Sequence, residues 1–187
     1  MKLADLSQAI AQFKKHKNCW FLQEALLAFE SGWWQAISAR TSDDLYLVRF
    51  WLTPPELGDE SSSSDFSFAN SLMLHWFLQP DDDGALHDHP APFRTTVLAG
   101  RYLELLPPDG WSPADPLGPE YGAKENLVTR GNSVFHQAAD LHAIGRIDPH
   151  TWTLVRTGDR VRDWGFHPPG KEWQPWRQFL NPPNKVA

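Results

Sequence analysis

Eight histidines stand in the chain of 187 residues, and two of them bracket a single aspartate in the stretch GALHDHPAPFRTTVLAG, Gly84 to Gly100. If residues 87 to 89 are extended, His87 and His89 share one face, because strand side chains alternate. Their imidazoles can then converge on one ion, while Asp88 points the other way, where it can brace a neighbour. A third ligand must come from another strand. Imidazole suits Fe(II), Ni(II), Zn(II) and Cu alike, so such a site does not name its metal. His136 and His142 are the nearest further histidines downstream. His75 precedes the pair on a strand, as a packed or bracing group. His150 and His167 lie in turn contexts, at the surface or a pocket rim, and His16 sits among lysines.

The surrounding residues resemble the cupin superfamily of double-stranded β-helix barrels. The first cupin motif reads HxH, three or four residues, Glu, six residues, Gly. Here it reads His87-Asp88-His89, PAP, Phe93, RTTVLA, Gly100, with Phe93 at the glutamate position. In the second motif Gly131 and His142 are kept, while Gln137, Ala139 and Arg146 replace Pro, Gly and Asn. The resemblance covers residues 70 to 167 and implies a metal site of His87, His89 and His142 without the fourth carboxylate ligand, as in three-histidine cupins such as the thiol dioxygenases. His136 is the rival ligand. The ending WTLVRTGDRVRDWGFHPPGKEW also resembles a group of bacterial and phage cupin-like proteins, in which HDHP and WGF recur at similar separation.

A three-histidine site leaves positions open for a chelating substrate and dioxygen. The resemblance therefore implies one divalent transition metal ion, Fe(II) first, with Zn(II), Ni(II) or Mn(II) also suited. The expected activity is a dioxygenase acting on a small anionic molecule. An isomerase, epimerase or lyase on the same barrel is the second class, and a non-catalytic ligand-binding or structural protein the third. Phe93 would wall the metal with an apolar ring. An acidic substrate needs a cationic anchor. Arg49, Arg94, Arg101, Arg146 and Arg156 are available, and Arg146 is favoured because it shares an inward parity with His142 on a regular strand. Tyr102 is a candidate proton donor, and Trp76, Trp152 and Trp164 are candidate pocket walls.

The elements that must position these residues are short. Leu3, Leu6, Ile10 and Phe13 recur at helical spacing, and the helical reading runs from residue 3 to 38 with Gly32 as an interruption. Strands are predicted at Asp43–Leu52, at Ser71–Gln79, on both sides of Ala99–Gly100, and in several short pieces from 125 to 167. EWQPWRQFL closes the chain as a short helix or cover. The predicted architecture is mainly β: a helical segment over 1–40 packed on a cupin-like barrel over 41–187. The Ser61–Ser64 run reads as locally disordered.

Seventeen basic and 23 acidic residues leave a net charge of −6, which argues against a nucleic-acid surface. One cysteine, Cys19, permits neither a disulfide within the chain nor a thiolate cluster. No apolar run spans a membrane and the first residues lack a signal-like core, so a cytoplasmic protein is expected. Ten tryptophans, two of them the adjacent Trp33 and Trp34, leave room for a homodimer.

Overall fold

The computed structural model describes residues 1–57, 66–113, 115 and 118–181. Helices α1 (Leu3–Ala11) and α2 (Trp20–Glu30) flank a 3-10 turn at Gln12–Lys15. The strands β1 (Trp34–Ser38), β2 (Leu45–Trp51), β3 (Leu72–Phe77), β4 (Leu86–His87), β5 (Phe93–Ala99) and β6 (Arg101–Leu106) follow. Then come β7 (Lys124–Thr129), β8 (Ser133–His136), β9 (Ala143–Ile147), β10 (Thr151–Thr157), β11 (Gly165–His167), β12 (Gln174–Pro175) and a short α3 (Trp176–Leu180). The Ser61–Ser64 run lies outside the described residues. Among the described residues no helix is long and apolar enough to cross a membrane.

The large sheet runs β1-β2-β3-β10-β5-β8, and two smaller ones run β12-β11-β4 and β7-β6-β9. An isolated bridge between His87 and His142 joins β4 to the start of β9. The order β3-β10-β5-β8 thus opposes the order β4-β9-β6-β7. That interleaving is the jelly-roll arrangement of a double-stranded β-helix, with β1 and β2 extending one sheet. The fold is mainly β and cupin-like, as the sequence predicts.

Alternation divides the large sheet into two faces. Val48, Phe50, Leu74, Trp76 and Trp152 point outward and pack against Leu6, Ile10, Phe13, Ala25 and Ala28 of the helical segment. Trp51, Met73, Phe93 and Val155 point into the barrel. So Trp76 and Trp152, candidate pocket walls by sequence, belong to the seam beneath the helices. Their parity on β3 and β10 puts them opposite the histidines.

The helical reading of residues 3–38 fails at its end, where Trp34–Ser38 forms β1. Gly32 adopts φ +78°. Its N–H donates to the Phe29 carbonyl, and the Trp33 N–H donates to that of Ala28. This is a Schellman stop, whose left-handed residue glycine occupies without a Cβ penalty. The released segment pairs antiparallel with β2, Trp34 facing Phe50. Both adjacent tryptophans therefore follow the helix end, Trp34 as the first residue of β1, and neither lies in a helix.

Candidate metal centre

His87 and His142 are directly opposed across the bridge. Each backbone N–H donates to the other's carbonyl, at 2.9 and 3.0 Å. Opposed residues project to one side of a sheet, so the two imidazoles enter the barrel together. His89, two residues beyond His87, joins them. Ring centroids are 5.1 Å apart for His87–His89, 4.9 Å for His87–His142 and 5.0 Å for His89–His142, a near-equilateral triangle. Asp88 turns away, as alternation requires, and is 1 % exposed. It accepts from the Gly165 N–H and from Trp173 Nε1, and pairs with Arg162 at 3.0 Å. Asp88 thereby ties β11 and the segment after it to the histidine strand. Gly165 suits that tie, because a Cβ there would collide with the Gln174 carbonyl.

Carboxylates stand behind two of the three histidines, His142 and His87. His142 Nδ1 lies 2.7 Å from Glu104 Oε1, and His136 Nε2 lies 2.8 Å from the same oxygen. Asn126 Nδ2 donates to Glu104 Oε2 at 3.1 Å. Glu104 is 1 % exposed. Burial pushes its carboxyl up, but the hydrogen bonds from His136 and His142 outweigh burial and hold it below the usual carboxylate range. An ionised Glu104 accepts a hydrogen bond from His142 Nδ1–H, which leaves the Nε2 lone pair facing His89. On the other side, Asp81 Oδ2 lies 3.8 Å from His87 Nδ1 and accepts the Ile144 N–H at 2.6 Å. The Tyr46 hydroxyl donates to Asp81 Oδ1.

Burial lowers the His87 pKa to about 4, even against the attraction of Asp81. Burial, then the neighbouring His142, holds His89 well below its ordinary value. Both rings are neutral at neutral pH, the state in which imidazole binds a metal. His89 Nε2 and His142 Nε2 face each other at 2.8 Å. Two lone pairs at that distance repel unless a proton or a cation lies between them. Buried His87 Nδ1 has no hydrogen-bond partner. The donor set fits a borderline divalent ion.

Two overlapping groups of three bring their ligand atoms within 4.8 Å of one another: His87, His89 and His142, and Glu104, His136 and His142. They use opposite nitrogens of His142. Both groups line the inner cavity described next, and His87 and His89 of the first also line the wider chamber beside it. The second is fully buried, and its carboxylate is already filled by two imidazoles and an amide. Phe93, at the cupin glutamate position, sets its ring 4.5 Å from that of His89 and 5.0 Å from that of His136.

An inner cavity of about 80 Å³ lies between the two sheets, lined by the triad, His75, Phe93, Tyr102, Glu104 and His136 among others. A wider chamber of about 450 Å³ opens beside it, bordered by Ile37, Asp81, Asp83, Trp164 and Phe166. Tyr46, Arg49, Phe68, His87 and His89 line both. A third groove, about 960 Å³, reaches Glu104 and His136 from the far side, past Trp111, His167 and Trp173.

The structure brings Tyr102 to the inner cavity, with burial and then Glu104 raising its hydroxyl pKa. It does not bring Arg146 there. The pairing of β6 with β9 jumps from Leu103↔Arg146 to Glu104↔Ile144, leaving Gly145 as an extra residue. The bulge reverses parity. Ile144 and Ile147 point inward, and Arg146, its side chain 75 % exposed, meets Glu125 at 3.5 Å. Sequence reading also passed over Glu104, Asp81 and Tyr46. Glu104 had a signal, a lone acid at the parity of Tyr102 inside the apolar run YLELL. Asp81 read as a turn residue within PDDDG. Away from the centre, His150 accepts from Trp76 Nε1 at 3.2 Å.

No protein-family model matches the chain, and no curated protein is similar to it. Solved structures do match. Hydroxypropylphosphonic acid epoxidase from S. wedmorenis, in complex with fosfomycin, is 16 % identical with a TM-score of 0.39, over 60 % of this chain and 51 % of that one. The DMSP lyase DddQ from Ruegeria pomeroyi is 19 % identical with a TM-score of 0.41, over 70 % and 59 %. KdgF from Halomonas sp. is 13 % identical with a TM-score of 0.39, over 68 % and 88 %. The chain spans about half the length of the epoxidase.

Proposed function

We propose that the protein is a metal-dependent cupin-like oxygenase acting on a small anionic organic molecule, with His87, His89 and His142 as ligands. The convergence of three buried imidazoles beside a small cavity, two of them held neutral by burial, carries this reading. Fe(II) is the favoured ion; when bound, it would supply a Lewis-acidic centre able to engage dioxygen and a chelating substrate.

The chain's own residues fit that task. Glu104 orients His142 by holding the proton at Nδ1, and Asp81 faces Nδ1 of His87. Phe93 and Phe77 keep the inner cavity poor in water. Tyr102 keeps its hydroxyl proton at neutral pH and can donate it into the cavity. Protein loaded with Fe(II) under argon and then exposed to oxygen should consume it in the presence of one member of a panel of organic acids. Oxygen uptake should vanish in His89→Ala. Turnover under argon with Mn(II) or Zn(II) would instead favour an isomerase or lyase.

A further inference from the structure

Strand register lines up four polar side chains across four consecutive strands. Gln35 on β1 faces Arg49 on β2, Arg49 faces His75 on β3, and His75 faces Thr153 on β10. Each has a buried atom without a partner: Gln35 Oε1, Arg49 Nε, His75 Nε2 and Thr153 Oγ1. The neighbouring inward rows are apolar, Trp51, Met73 and Val155 on one side and Leu47 and Phe77 on the other. Buried polar atoms normally find partners, and a whole row without them between apolar layers marks a place for a polar occupant.

Arg49 is the centre of that row. No carboxylate of the described residues pairs with it. Burial lowers its pKa to about 10, which still leaves it charged at neutral pH. Its guanidinium lies 5.5 Å over the Phe68 ring, which also stacks on His89 at 5.8 Å. Phe68 thus sets Arg49 beside the triad at the junction of the two cavities. His75, held neutral by burial and by Arg49, adds no competing charge.

We propose that Arg49, flanked by Gln35 and His75, is the anchor for the carboxylate of a monoanionic organic acid. A guanidinium fork matches a carboxylate with two parallel hydrogen bonds. The other arginine on the chamber, Arg40, is engaged with the Phe179 ring and the Asp83 carbonyl. Asp81 borders the chamber, as does Asp83, whose carboxyl burial and then Asp81 push up to about 7, and this acidic rim weighs more against a dianion than against a monoanion. With the acid group at the junction, a head of a few atoms fits the inner cavity, and an apolar remainder meets Ile37, Trp164 and Phe166. This assignment rests on the triad being the reaction centre.

The test uses the full chain, metal-free and Zn(II)-loaded. Acetate, benzoate and phenylacetate are titrated against acetamide, benzamide, phenylacetamide and phenyl phosphate, with binding followed by NMR and Zn(II) affinity by calorimetry. At least one acid should bind about tenfold more tightly than its amide and than phenyl phosphate. Arg49→Gln should remove that preference, Arg49→Lys should restore part of it, and neither should lower the melting temperature by more than about 4 °C, because among the described residues Arg49 makes no ion pair and only the Phe68 contact is lost. Equal binding of acids and amides by the native protein, or an unchanged preference in Arg49→Gln, would overturn the anchor whatever Zn(II) does. If Zn(II) fails to bind while the Arg49-dependent preference remains, the metal reading falls and the acid site stands.

Discussion

The two faces of the six-stranded sheet are made by the same strands and differ in what they hold. On the outer face Trp76 and Trp152 stack at 5.4 Å, and Phe13 meets both rings edge-on, at 5.4 and 5.5 Å. Phe50 stacks on Trp152 at 5.9 Å. The inner face, one residue along each strand, carries Arg49, His75 and Thr153 with buried atoms unpaired. Apolar contact with the helices stabilises the first face, whereas desolvated polar groups make the second costly. The sheet shows that a period of two lets one set of strands carry both a stabilising surface and a poised one, provided register keeps them apart.

That division can be broken from either side. The largest stability effect should come from the outer face. Trp152→Ala should cost about 3–5 kcal/mol in denaturant unfolding. Zn(II) affinity of the folded fraction should stay near the native value, because the cavity lies across the sheet. A parallel loss of metal affinity would mean that the faces are coupled.

Acid should act on the inner face. The His87 pKa falls from 6.5 unfolded to about 4 folded, so the unfolded chain binds its proton first. Stability of the metal-free protein should therefore decline as pH falls from about 6.5 toward 4, by about 3 kcal/mol from His87. His89 and His75 are displaced in the same direction and add to the slope. Trp152→Ala should lower the whole stability curve without changing its shape; a pH-independent unfolding midpoint over this window would refute the neutral, buried assignment.

A smaller change is expected from the carboxylate behind the triad. Glu104→Gln removes the charge that fixes His142, and metal affinity should fall about 10- to 100-fold in chelator competition. Unaltered affinity would favour a metal site that does not depend on that brace. The smallest effect belongs to Arg146. Arg146→Ala should change stability by less than about 0.5 kcal/mol and leave metal and acid binding alone; a loss of acid binding would return the anchor role to β9.

The chain order already carries part of this. Phe93 as an apolar wall is implied by its place in the cupin-like motif, while His87 and His89 with Asp88 turned outward follow from strand alternation, which is local. The short β elements and the helical start were legible for the same reason. Gly32, however, reads equally as a pause or a stop in a helix. What ends α2 is the Schellman bonding together with the edge of β2 that Trp34–Ser38 pairs with. Arg146 shows the limit from the other side. Its parity with His142 holds on a regular strand, and the bulge at Gly145 exists only in the pairing of β9 with β6. Glu104 becomes the brace of His142, and Gln35, Arg49, His75 and Thr153 become one row, only when strands distant in sequence take up register. Alternation along a strand is written in neighbouring residues; the choice of which strands lie side by side, and at what offset, is made by the packed barrel.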